Sequence, residues 1–172
     1  MNKKLRGASI GAGKMGLLHG AIINSMPSAE LVSICEPSKL IQNTIKEFSS
    51  GINIYSDYEK MLKDEDLDFV FITTPSYMHV EMAMKCIENN CHFFIEKPLS
   101  TNGAEAKPLI DKLNGSDLLS MVGYMMRYIA TFKKVKEILD SEIIGKLINF
   151  NSSMYVSQLF KTGKGWRYNK DK

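Results

Sequence analysis

The sequence is short of several things, and each shortage removes a class of protein. Only three of its 172 residues are cysteine, Cys35, Cys86 and Cys91. An odd count without metal-ligand spacing argues against a disulfide framework or a metal site and for reduced, buried thiols. No stretch approaches the ~18 uninterrupted apolar residues of a membrane-spanning helix. The basic start, Lys3, Lys4 and Arg6, runs into glycine-bearing sequence rather than the apolar core of a signal peptide. A cytoplasmic protein with no membrane partner is therefore expected. A dominant charge sign is missing too: 22 Lys and Arg stand against 19 Asp and Glu, a net of +3. The basic residues are scattered, with denser runs only at Lys3, Lys4 and Arg6 and at Lys161, Lys164, Arg167, Lys170 and Lys172 that read as solvated surface or tails, so no nucleic-acid partner is expected. Repeats and low-complexity tracts are absent. What remains, 44% hydrophobic and 24% charged residues, matches an ordinary globular chain. At this length, folding hides about 70% of the unfolded surface without help from a disulfide or a metal.

Short apolar runs alternate with helical patterns over the first 122 residues, the signature of βαβ units feeding a parallel sheet. The strand candidates are residues 8–10, 31–35, 52–55, 69–73, 92–95 and 119–122. Phe69-Val70-Phe71-Ile72 is continuously apolar, as a central strand covered on both faces should be. Between the strands, Ile41, Ile45 and Phe48 share one helical face, and Val80, Ala83, Met84 and Ile87 share another. Ser56-Asp57-Tyr58-Glu59 has capping-box spacing and predicts a short helix carrying Met61 and Leu62 inward. Thr101 or Asn102 is placed to cap a helix carrying Ala106, Leu109, Ile110 and Leu113, although Pro108 inside that pattern predicts a kink or a late start. The expected fold class is α/β, a doubly wound parallel sheet.

The pattern changes after Tyr124. A helical segment presents Phe132, Val135 and Leu139 on one face and stops near Gly145. Ile148, Phe150, Ser152, Met154 and Val156 then alternate with Asn149, Asn151, Ser153 and Tyr155, the period of a strand with one wet face. The expected boundaries are residues 1–123 for the parallel-sheet domain and 124–172 for the first helix and strand of a second, α+β domain.

The chemistry-bearing signal is Gly11-Ala12-Gly13-Lys14-Met15-Gly16, set between the first strand and a helical stretch. One glycine makes the tight turn, one lets the backbone approach a pyrophosphate, and one lets helix and strand pack closely. The helix start then offers unsatisfied N–H groups to phosphate. By itself the pattern also fits a flexible turn; its place after a strand and before a helix favours the phosphate reading. Glu36 ends the second strand about 20 residues beyond Gly16, where an acidic side chain accepts hydrogen bonds from an adenosine ribose. Such a carboxylate repels a 2′-phosphate, favouring NAD over NADP, while Ser38 and Lys39 leave NADP as the minority reading. A helix-capping or merely solvated Glu36 is the plainer alternative.

Further motifs follow in order: Thr73-Thr74-Pro75-Ser76-Tyr77-Met78-His79 after the fourth strand, Glu96-Lys97-Pro98-Leu99 after the fifth, Gly123-Tyr124-Met125-Met126-Arg127-Tyr128 after the sixth, and Ile144-Gly145-Lys146-Leu147. With the glycine loop they resemble the Gfo/Idh/MocA oxidoreductase family from about residue 5 to residue 168. The resemblance implies a Rossmann domain with a nicotinamide cofactor across the carboxyl ends of its strands. Gly11, Gly13, Lys14, Met15 and Gly16 would hold the pyrophosphate, Glu36 the ribose, and Thr74 and Pro75 the nicotinamide half. His79 would stand at a helix start near the cofactor, or simply cap and pack there. Lys97 is the implied catalytic residue, hydrogen-bonding the hydroxyl of a sugar-type substrate while hydride passes to the nicotinamide; partial exclusion from water would suit that task. The bland alternative is a surface lysine before a turn. Glu96 would belong to the cofactor site and orient the lysine, the Lys97–Pro98 bond would be cis, and Tyr124 and Arg127 would face the substrate, with a structural ion pair as the alternative for Arg127.

One element of the family pattern is not met. Its second catalytic segment, D-x-x-x-H, would fall beyond Lys172, and none of His19, His79 and His92 stands in that position. The expectation is dinucleotide binding with impaired turnover, and a homo-oligomer only if the rest of the second domain is present. The alternative reading is a dinucleotide- or sugar-nucleotide-binding regulatory module, docking a partner through the strand predicted at residues 147–156.

Overall fold

In the computed structural model, which describes residues 3–155, the alternating apolar runs resolve into strands and helices in strict succession. Strands β1 (Leu5–Ile10), β2 (Ala29–Cys35), β3 (Asn53–Tyr55), β4 (Phe69–Ile72), β5 (His92–Ile95) and β6 (Ser120–Val122) are separated by helices α1 (Lys14–Ser25), α2 (Lys39–Phe48), α3 (Tyr58–Asp64), α4 (His79–Glu88) and α5 (Gly103–Leu113). The strands form one parallel sheet in the order β3-β2-β1-β4-β5-β6. The order reverses between β1 and β4, which opens the crevice where ligands of such sheets bind. The chain divides into two units, Met1–Gly123 and Tyr124–Lys172.

Alternation along each strand fills both faces of the first unit. Val70 and Ile72 are fully buried with Ile10, Phe93 and Ile95 against Met61 and Leu62 of α3, Met82, Ala83 and Cys86 of α4, and Leu109 of α5. Phe69 and Phe71 turn to the opposite face, where Leu31 and Ile34 meet Ile23 of α1 and Ile45 of α2. A continuously apolar β4 is thus the expected consequence of helices above and below it.

Several local expectations need correction. Phe48 does not point inward. It is the last residue of α2 and 83% exposed, because β3, the edge strand that follows, is only three residues long and offers little surface. The α3 cap is Asp57 rather than Ser56: its Oδ1 accepts the N–H groups of Glu59 at 2.8 Å and Lys60 at 3.2 Å, and a carboxylate is the stronger acceptor there. Helix α5 starts directly after Asn102, whose Oδ1 accepts the Glu105 N–H at 2.9 Å, and it continues through Pro108. Pro108 and Ala104 both face solvent, so the carbonyl that proline leaves unpaired can be hydrated.

In the second unit, a 3-10 turn (Met125–Tyr128) leads into α6 (Ala130–Asp140). No residue of α6 is buried, and Phe132 and Val135 stay 45% and 40% exposed. The strand predicted from Ile148 to Val156 is not formed over its described part: residues 147–155 carry no strand, and Ile148 and Tyr155 are both 95% exposed. Alternation creates a face, but a strand exists only when a second backbone accepts its hydrogen bonds. Val156 and the basic run at residues 161–172 lie outside the described residues, and the docking edge of the regulatory reading is lost with the strand. Among the described residues, no helix is long and apolar enough to cross a membrane, and no cluster of three or more His, Cys, Asp or Glu side chains is placed to hold a metal.

Two outcomes follow from this packing. Leu109→Ala should cost about 2–5 kcal/mol in chemical denaturation, whereas Phe48→Ala should stay within about 0.5 kcal/mol of the parent. The thiols supply the second. Burial, followed by the carboxylates of Asp57 and Glu36, pushes Cys35 up from 9.0 to about 12. Burial also raises Cys86 and Cys91. These thiols bind protons more tightly folded than unfolded, so their contribution is intact below pH 9 and is lost as pH rises above it. At pH 8 a thiol reagent should leave the native protein unlabelled and modify all three cysteines once denaturant is added.

Candidate active site

The parallel ladder does not stop where the strands end. The N–H just past each strand still donates to the last carbonyl of its neighbour: Glu36 to Tyr55 (2.9 Å), Gly11 to Cys35 (2.8 Å), Thr73 to Ile10 (2.9 Å), Glu96 to Ile72 (2.9 Å) and Gly123 to Ile95 (2.8 Å). Glu36, the glycine loop, the Thr73-Thr74-Pro75 segment and Glu96-Lys97 therefore leave the sheet at one level, along one edge.

Gly11 adopts φ +96°, a conformation costly for any side chain. Its carbonyl oxygen accepts the Ser9 hydroxyl at 3.1 Å and the Thr73 hydroxyl at 2.9 Å, and Thr73 Oγ1 also lies 3.1 Å from the Ile10 carbonyl. Gly16, in the first turn of α1, is pressed onto that same carbonyl: a Cβ there would stand 2.1 Å from the Gly11 oxygen and 2.7 Å from Thr73 Oγ1. Gly13 differs, since a Cβ on it would meet nothing within 4 Å. The loop is closed against its own sheet at Gly11 and Gly16 and open at Gly13, with Lys14 exposed beside it and Met15 half-buried. The first N–H groups of α1 have no acceptor within the helix. An open, glycine-lined helix start with spare donors fits a pyrophosphate.

Glu36 is 8% exposed, and its carboxylate is already directed. Oε2 accepts the Ala12 N–H at 3.1 Å and Oε1 accepts the Ser38 N–H at 2.9 Å. A carboxylate accepts about four hydrogen bonds, so capacity remains for a pair of ribose hydroxyls. The capping alternative is also partly true, since Ser38 is the residue before α2.

His79 is not free to touch a cofactor. It is 1% exposed, with Nδ1 2.7 Å from the Pro98 carbonyl oxygen and Nε2 2.9 Å from that of Thr74. The ring packs in the core and faces two carbonyls rather than capping α4, and it ties the loop after β4 to the loop after β5. Thr74 is half-buried, with its hydroxyl 3.3 Å from Met82 Sδ, and Pro75 is half-buried beside it.

The Lys97–Pro98 peptide is cis, as expected. Lys97 itself is exposed, so the partial exclusion from water expected of it is not provided by the described residues of the first unit. Glu96 engages the main chain of Lys97, with Oε2 3.3 Å from its N–H. Its Oε1 takes Nε2 of His19 at 2.9 Å. Tyr124 and Arg127 are exposed residues of the second unit. Motif reading gave no role to Thr73, Ser9 or His19. The roles of the first two depend on β4 lying beside β1, and that of His19 on its side chain reaching Phe94 of β5 and Glu96.

The family model described as the oxidoreductase family with an NAD-binding Rossmann fold matches residues 5–124. The scyllo-inositol 2-dehydrogenase (NAD(+)) of Bacillus subtilis strain 168 is 32% identical over 153 residues, covering 87% of this chain and 44% of that protein. The crystal structure of myo-inositol dehydrogenase from Lactobacillus casei, in complex with NAD(H) and myo-inositol, superposes with a TM-score of 0.76 at 30% identity, over 83% of this chain and 43% of that one. The myo-inositol 2-dehydrogenase of Lactobacillus plantarum gives a TM-score of 0.76 at 28% identity, over 85% and 44%. The chain thus spans a little under half the length of these relatives. Since the matched stretch contains the glycine loop, Glu36, the Thr74 loop and Glu96-Lys97 in order along one sheet edge, the chain belongs to the Gfo/Idh/MocA oxidoreductases.

Proposed function

We propose that this chain carries the cofactor half of an NAD-dependent oxidoreductase acting on a hydroxyl of a sugar or polyol. The observation that carries the reading is the continuation of the ladder past five strand ends, which aligns the motif residues along one edge. Gly11, Gly13 and Gly16, with the N–H groups of Lys14 and Met15, hold the pyrophosphate. Glu36 receives the adenosine ribose hydroxyls, and its fixed negative charge excludes a 2′-phosphate. Thr74 and Pro75 line the nicotinamide half, with His79 and Glu96 supporting that loop pair rather than contacting the ligand. NAD(H), when bound, supplies the hydride exchange.

Lys97 is the catalytic residue of this reading. Its ammonium donates a hydrogen bond to the substrate oxygen, favouring the developing alkoxide as the hydroxyl proton departs. Its exposure in the first unit implies that the wall excluding water comes from elsewhere in the whole enzyme. Tyr124 and Arg127 are assigned to the substrate side. Inositol dehydrogenases among the relatives support a polyol or sugar as the substrate class. A cytoplasmic location belongs to this reading and is supported by three buried, unpaired cysteines.

Calorimetric titration is the direct test. NADH should bind, and NADPH at least about tenfold more weakly, given the cost of setting like charges together; no heat at saturating NADH would sink the reading. Gly16→Ala, which drives a Cβ into the Gly11 carbonyl, should abolish binding even where circular dichroism shows a folded chain. Lys97→Ala should leave NADH affinity within about twofold and, measured in the whole enzyme, lower hydride transfer to an inositol by about 10²–10⁴.

A further inference from the structure

His19 belongs to none of the motif segments, yet its ring is both packed on aromatic rings and hydrogen-bonded. It sits in the second turn of α1, and its ring lies against both Phe71 of β4 and Phe94 of β5, with centroids 5.1 Å from each. Those two phenylalanines stack on one another at 4.8 Å, so the platform under the histidine is itself fixed. Nε2 points at Glu96 Oε1, 2.9 Å away, and both side chains are only 16% exposed. An ionised carboxylate only accepts hydrogen bonds, so Nε2 is the donor. The second oxygen of Glu96 faces the N–H of Lys97.

A chain of contacts thus runs from the stacked rings to the imidazole, from the imidazole to the carboxylate, and from the carboxylate to the main chain of Lys97. Without the histidine, the Glu96 side chain would be free to rotate beside the residue proposed to meet substrate, and burial at 16% exposure leaves little water to replace the lost donor. The helix carrying His19 is also the one whose amino end, at Gly13 and Lys14, is assigned to the pyrophosphate. We propose that His19 is a positioning residue: through Nε2 it holds Glu96, and with it Lys97, in register with the phosphate-binding end of α1. This inference rests on the NAD(H) reading for its functional consequence.

Two substitutions separate the hydrogen bond from the ring. His19→Phe keeps the aromatic contacts with Phe71 and Phe94 and deletes the donor. His19→Gln deletes the ring and restores an N–H donor the same number of bonds from Cα. Three readouts are taken on the full chain: the thermal midpoint, NADH affinity by titration, and hydrogen exchange of the Lys97 amide by NMR. The expected result is that His19→Phe melts near the parent, exchanges at Lys97 about tenfold faster and binds NADH about five- to tenfold more weakly. His19→Gln, although less stable, returns both site readouts to within about twofold of the parent. A parent-like His19→Phe, or a His19→Gln as impaired at the site as His19→Phe, overturns the proposal. If the parent itself gives no NADH response, the cofactor reading fails, and Lys97 exchange across the three proteins still decides the role of His19.

Discussion

The structure depends on parallel pairing that, after one shift in register between Gly7 and Ala8, continues to the end of the strands and, at five of them, one residue beyond. Parallel strands present all their carboxyl ends on one side, but they do not have to end level. Here five successive N–H groups, from Glu36 across to Gly123, still find the neighbouring carbonyl at 2.8–2.9 Å. The loops therefore depart from a straight margin, and residues as far apart in sequence as Glu36 and Glu96 share a level without touching. Loops carry the chemistry while the ladder sets where each begins.

Around Gly11 the same margin meets a packing constraint. The helix following β1 must sit close enough for Gly16 to press on the Gly11 carbonyl. The Ser9 and Thr73 hydroxyls donate to that carbonyl. An unsatisfied buried carbonyl costs about 1–3 kcal/mol, so these two side chains are as much a part of the glycine loop as the glycines. They come from β1 and from the end of β4, on both sides of the point where the strand order reverses.

Much of this was legible in the sequence because it is local. Six strands lie within about three residues of where apolar runs placed them, and strand, glycine loop and helix follow in a single stretch of chain. Glu36 was legible for the same reason, being the residue that directly follows β2. What escaped is non-local. His19 and Glu96 meet across 77 positions, and Thr73 reaches Gly11 across 62, so neither pair leaves a periodicity to read. Residues 148–155 fail in the opposite sense: the alternation is there, but pairing requires a second backbone, and composition says nothing of whether one is present. The exposure of Lys97 has the same origin, since a residue's access to water is set by every element around it rather than by its neighbours in the motif.

The imidazole of His79 has a consequence for recombination. A neutral ring holds one N–H, yet it faces the carbonyls of Thr74 and Pro98, which belong to different loops. The two loops are therefore not independent modules. Replacing residues 73–79 alone with a foreign segment would remove the histidine fitted to the resident Pro98 carbonyl, and exchanging residues 96–99 alone would leave the resident histidine misdirected. Shuffling at this site should succeed when both segments travel together as one cassette.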